Sequence, residues 1–165
     1  MFFRRKKQNL FDNETYDLAN KPLIDSDNFN DLLLEGKFAK FTQHAKNLFK
    51  EGYCLLNIEN NKWLDIVDDL RNELSELEEF KKVEKGVLKS LRFQDAWLHK
   101  KIKLVQRIAA EKEILDCLSV LYGRDPFPFQ TLNFPYGSAQ HIHTDDTHFS
   151  CIPKGYMCGV WVALE

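Results

Sequence analysis

The sequence predicts an α+β protein, with helices first and β structure last. Apolar residues recur at helical spacing through residues 28–123. Past Pro126 the character changes to aromatic and β-branched runs over residues 127–134 and 156–164, punctuated by Pro135 and Gly137. Residues 1–27 are polar and without period, and read as tail and loop. Residues 28–165 read as part of a single domain, with helical support over 28–123 and the start of a β core over 124–165.

At 165 residues, 44% hydrophobic and 29% charged, the chain has the composition of an ordinary globular domain with a real core. A net charge of -2 gives no basic field for nucleic acid. No apolar run approaches the roughly 20 residues that a membrane span requires. The first seven residues carry positive charge, but no apolar stretch follows them, so they read as a solvated tail and not as a secretory signal. The four cysteines form no C-x-x-C pair, and Cys54, Cys117 and Cys158 sit inside apolar runs. They are expected to be small buried hydrophobes of a reduced, cytoplasmic protein. The sequence is silent on oligomeric state.

Phe29, Leu32 and Leu33, then Phe38, Phe41, Ala45, Leu48 and Phe49, predict two helices divided at Gly36, the second closed by Gly52. Residues 53–58 form a short strand candidate. Asn60 or Asn61 caps the next helix, whose apolar stripe is Trp63, Ile66, Val67, Leu70, Leu74 and Leu77. Asp65, Asp68, Asp69, Glu73, Glu76, Glu78 and Glu79 cover its solvated side. Residues 81–93 read as a loop. A helical stretch over 94–122 places Leu98, Ile102, Val105, Ile108 and Ala109 on one face, breaks near Ala110–Glu111, and continues with Ile114, Leu115, Leu118 and Leu121. Gly123 and Pro126 end it. The 156–164 run, with Val160, Trp161 and Val162, reads as a strand buried on both faces.

The chemistry concentrates in one octet. Three of the five histidines and two aspartates fall within residues 141–148, as His141, His143, Asp145, Asp146 and His148. In an extended chain His143 and Asp145 share a face, with Thr144 opposite. One imidazole and one carboxylate on a common face suit a ferrous facial triad, two histidines and a carboxylate with three positions open. Taken alone, H-x-D is a common pattern, and the octet fits a hydrogen-bonded polar loop as well as it fits a metal site.

The surroundings are more specific. The segment Arg124-x-Pro126-x-Pro128-Phe129-Gln130-Thr131-Leu132-Asn133-Phe134 is followed by Gly137, Gln140, His143-Thr144-Asp145, His148-Phe149 and Pro153, then by Gly159-Val160-Trp161-Val162-Ala163-Leu164-Glu165. Together these resemble the phytanoyl-CoA dioxygenase family of iron(II)- and 2-oxoglutarate-dependent oxygenases, in which a strand leads to Q-x-x-H-x-D and then to a W-x-A-L-E-D strand. Arg92-Phe93-Gln94-Asp95-Ala96 and Leu121-Tyr122-Gly123-Arg124 also fit bacterial-type members. The resemblance covers roughly residues 45–165 and is strongest over 121–165.

The resemblance implies helices packed on a double-stranded β-helix, the jelly-roll or cupin-like core. It maps His143 and Asp145 onto two iron ligands and turns Gln130 and Asn133 toward 2-oxoglutarate, although Gln130 also fits a strand residue satisfied by backbone. Trp161 is read as a core aromatic. The implied cofactors are iron(II) and 2-oxoglutarate as co-substrate, with ascorbate as a reductant. The implied chemistry is oxidative decarboxylation to succinate and carbon dioxide, coupled to oxidation of an unactivated C–H bond in a small-molecule or lipid-like substrate. The family's distal histidine and its 2-oxoglutarate-binding arginine would lie beyond Glu165, so the 165 residues are expected to be an N-terminal fragment, inactive alone. Two other classes stay open: a cupin-like or zinc protein built on His141, His143 and His148, and a non-catalytic module that keeps the fold.

Overall fold

The computed structural model describes residues 21–27, 29, 36–84, 92–134, 145, 149, 152 and 154–164. They divide into two compact units: Met1–Leu56, Leu115–Pro126 and Asp145–Cys158 in the first, Asn57–Ile114, Phe127–Thr144 and Gly159–Glu165 in the second.

In the first unit a 3-10 turn, Leu23–Asp25, lies in the segment read as tail and loop, yet its Leu23 is buried in the core. A second 3-10 turn, Gly36–Phe41, leads into helix α1 (Thr42–Glu51). Phe41, Ala45 and Leu48 recur at i, i+4 and i+7, so one stripe faces the core. Phe49, expected in that stripe, is exposed, with its ring centroid 6.5 Å from that of the buried Phe29. Gly52 ends α1 at φ 79, its N–H donating to the Leu48 carbonyl at 2.9 Å, the left-handed cap that glycine adopts without strain. Cys117, Val120 and Leu121 complete this core from the later turns of a helix whose full extent is given below.

The second unit is built on α2 (Trp63–Ser75), α3 (Glu78–Glu84), α4 (Ala96–His99) and α5 (Lys103–Ala109). The predicted stripe of α2 holds: Ile66, Val67, Leu70 and Leu74 are buried, and Trp63 and Leu77 pack partly buried beside them. Each fully buried aliphatic side chain contributes about 1.5–3 kcal/mol. The expected asparagine cap is not made: the N-cap is Lys62, without a side-chain cap, and Asn60 Oδ1 instead accepts from the Lys62 N–H at 3.0 Å in the turn before the helix. Val105 and Ile108 of α5, with Ile102 just ahead of it, join the same core, while Leu98 of α4 stays exposed. The expected break near Ala110–Glu111 is present, and a second falls at Lys100–Ile102, with Lys101 at φ 63. Beyond it α6 (Lys112–Tyr122) starts; its Leu115–Tyr122 part belongs to the first unit.

The jelly-roll expectation is overturned. The described residues are mostly helical, and their only sheet is β1 (Phe93–Gln94) paired antiparallel with β2 (Leu132–Asn133), Phe93 opposite Asn133 and Gln94 opposite Leu132. Residues 53–58 and 156–164, both expected to be strands, form no strand and belong to no ladder among the described residues. A strand exists only when a neighbour takes its N–H and C=O groups, and apolar composition cannot supply that neighbour. The last run is also buried on one side instead of two: Val162 and Leu164 pack on the second core, whereas Trp161 is 77% exposed. Trp161 is therefore a surface aromatic and not a core residue.

Candidate functional site

Three places bear on the predicted chemistry. The first is the segment that ends in β2. Gln130 is half-buried just ahead of the strand, and Asn133 lies on the strand itself. Thr131 and Asn133 stand two apart on one face of the extended chain. Thr131 Oγ1 and Asn133 Oδ1 are both buried and have no hydrogen-bond partner. Leaving such a group unpaired costs about 1–3 kcal/mol, so this face carries a polar debt that a ligand or water would relieve. The backbone beneath it is fixed by Asp95: the Asp95 N–H donates to the Thr131 carbonyl at 2.8 Å, and the Thr131 N–H donates to Asp95 Oδ1 at 2.9 Å.

The second place joins the segments before and after the histidine octet. The rings of Phe134 and Trp161 stack with centroids 5.9 Å apart and planes 17° from parallel. That geometry is worth about 0.5–1.5 kcal/mol beyond area burial. It draws the 159–164 run against the end of β2 within the second unit.

The third place surrounds Asp145, which is exposed. Its carbonyl accepts from the Phe149 N–H at 2.9 Å. Its carboxylate acts on Cys158. Desolvation of the thiol pushes the Cys158 pKa up, an interaction with the Tyr122 hydroxyl opposes this, and the Asp145 charge adds to the rise. The residue as a whole is solvent-accessible, so this desolvation is local to the sulfur. Cys54 is raised in turn, first by burial and then by Cys158. Both cysteines are free thiols, and at neutral pH they remain thiols and not thiolates. Nearby, Tyr156 donates its hydroxyl to the Lys21 carbonyl at 2.6 Å and takes the Arg124 guanidinium over its ring at 4.4 Å. Gly155 turns the chain at φ 85, where a Cβ would meet Pro22 Cδ at 3.2 Å.

His143, with His141 and His148, lies outside the described residues. Among the described residues no group of three or more His, Cys, Asp or Glu side chains gathers to hold a metal ion, and no helix is long and apolar enough to cross a membrane. Of the residues that the sequence named, Gln130, Asn133 and Asp145 are described, and they are not gathered into one cluster by any contact among the described residues. The sequence missed Thr131, which the two-residue alternation from Asn133 points to, and the neighbourhood of Asp145 and Cys158, for which it carries no local signal. No protein-family model, curated protein or solved structure matches this chain.

Proposed function

We propose that this chain carries part of the site of an iron(II)- and 2-oxoglutarate-dependent dioxygenase of the phytanoyl-CoA dioxygenase type. The observation that carries the reading is the His143-Thr144-Asp145 spacing, set between the Gln130–Phe134 and Val160–Ala163 segments in the family's order. The stack of Phe134 on Trp161 supports it, since it ties together the two segments that bracket the motif. The donor set fits the metal: one imidazole and one solvent-accessible carboxylate are hard-to-borderline ligands of the kind ferrous iron takes.

In this proposal His143 and Asp145 hold the iron, and the side-chain NH2 groups of Asn133 and Gln130 donate hydrogen bonds to the oxygens of 2-oxoglutarate. Iron, when bound, supplies the activation of dioxygen that couples decarboxylation of 2-oxoglutarate to oxidation of a C–H bond. The Asp145 carboxylate lowers the charge of the centre, and the His143 imidazole needs an acceptor for its second N–H to fix its tautomer. Ascorbate serves as reductant, and the substrate is a small molecule or lipid-like compound. The free thiols Cys54, Cys117 and Cys158 favour a reducing, cytoplasmic setting.

The test uses the full-length protein, its iron content, and succinate formation from 2-oxoglutarate. Asp145→Ala is expected to abolish succinate formation and lose iron while keeping the far-ultraviolet spectrum. His141→Ala is expected to retain both. The reverse pattern, with zinc retained by Asp145→Ala and lost by His141→Ala, overturns the reading in favour of a three-histidine centre.

A further inference from the structure

Asp95 takes no part in the chemistry proposed above, yet it sits where β1 ends and α4 begins. Its backbone is left-handed, φ 47 and ψ 48, a conformation that aspartate tolerates better than most side chains. The β1–β2 register places Gln94 opposite Leu132, so the next pair along the ladder is Asp95 opposite Thr131. In a regular antiparallel pair each residue donates its N–H to the other's carbonyl. Here the first bond is regular, from the Asp95 N–H to the Thr131 carbonyl at 2.8 Å. The second is not. The Asp95 carbonyl has turned away to start α4, accepting from the N–H groups of Leu98 at 2.9 Å and His99 at 3.0 Å. The Asp95 carboxylate takes its place and accepts from the Thr131 N–H at 2.9 Å. The side chain thus lengthens the ladder by one pair while the backbone leaves it.

The pair that this clasp adds is Thr131, two residues ahead of Asn133 on the same face. That face buries Thr131 Oγ1 and Asn133 Oδ1 without partners. Two-residue strands have little ladder to hold them, and an unpartnered buried oxygen favours any movement that brings it to water. We propose that Asp95 is a positioning residue, whose carboxylate clasps Thr131 and thereby keeps the Asn133 carboxamide in its buried orientation. What Asn133 binds there rests on the reading under Proposed function; the clasp itself does not.

Nuclear magnetic resonance of Asp95→Gly and Asp95→Asn tests it. Glycine keeps the left-handed backbone without strain and removes the acceptor, whereas asparagine keeps both the backbone preference and an acceptor oxygen. In Asp95→Gly the Thr131 amide is expected to exchange with solvent at least about tenfold faster, and the Asn133 side-chain amide resonance to move to a solvent-exposed position, with the amides of Val105 and Ile108 unchanged. Asp95→Asn is expected to restore both signals. A glycine variant that matches the wild type, or an asparagine variant as disturbed as glycine, overturns the proposal. Should the glycine variant fail to fold, Asp95→Glu, which displaces the carboxylate by one methylene, is read the same way. Titrating the wild type with 2-oxoglutarate and zinc(II) in place of iron separates the two claims. No shift at Asn133 sinks the 2-oxoglutarate contact while the Thr131 exchange result still decides the clasp.

Discussion

Helix α2 and the 159–164 run both lay side chains on the core of the second unit, but they hold their backbones differently. α2 closes its amides on its own carbonyls and adds four buried side chains at i, i+1, i+4 and i+8, namely Ile66, Val67, Leu70 and Leu74. The 159–164 run has no ladder among the described residues and is attached through Val162, Leu164 and the stack of Trp161 on Phe134. Among the described residues, the first is held by backbone and core together, the second by side chains alone. Damage to the core face of α2 should therefore spread through the unit, and damage to the run should stay local.

Leu70 is 1% exposed, and Leu70→Ala is expected to lower stability by about 2–5 kcal/mol, the cost of a core cavity, as read by urea denaturation. A loss under about 1 kcal/mol would erase the contrast, showing that α2 is not the keystone of the unit. Val162→Ala is expected to cost no more than about 1.5 kcal/mol, because the side chain is only half-buried. A larger cost would mean that the run is built into the core as a strand would be. For Trp161→Ala the expected loss is about 0.5–1.5 kcal/mol by urea denaturation, with the emission maximum of the remaining Trp63 and Trp97 unchanged.

On the solvated side of α2 the effects shrink further. Glu76→Ala is expected to change stability by no more than about 0.5 kcal/mol, since its partner Lys81, at 3.1 Å, is a surface pair. A loss of activity without a loss of stability would show that this acidic face does more than solvate the helix. The smallest effect concerns pH. A hydrogen bond from Lys100 holds the Glu79 carboxyl below its ordinary value, helped by a backbone hydrogen bond and opposed by slight desolvation. The folded state thus favours the carboxylate, so this contribution is present above the ordinary value and is lost as pH falls through the depressed one. Glu79→Gln should flatten the acid side of the stability profile slightly, and added salt should mask the difference. An unchanged profile at low salt would show that the pair contributes nothing.

The candidate site divides along the same line. That His143 and Asp145 share a face was expected from the two-residue alternation of an extended chain, and His143 lies outside the described residues. Asn133 was legible only through its place ahead of that motif. The Asp95 clasp was not, because its partner is 36 residues away and nothing in the sequence near Asp95 names Thr131. The influence of Asp145 on Cys158 was hidden for the same reason.

By itself the sequence determined where α2 buries its stripe, where Gly52 ends α1, and where the long helical stretch breaks at Ala110–Glu111. Those are settled within one or two turns, by side-chain spacing and by backbone groups that pair with near neighbours. Only the tertiary structure decided that Leu132–Asn133 pairs with Phe93–Gln94, that Asp95 extends that pairing with a carboxylate, and that the 159–164 run faces the core on one side with Trp161 outside. A strand's hydrogen bonds belong to its neighbour, and which neighbour arrives is fixed by the packing of the whole unit and not by the residues of the strand.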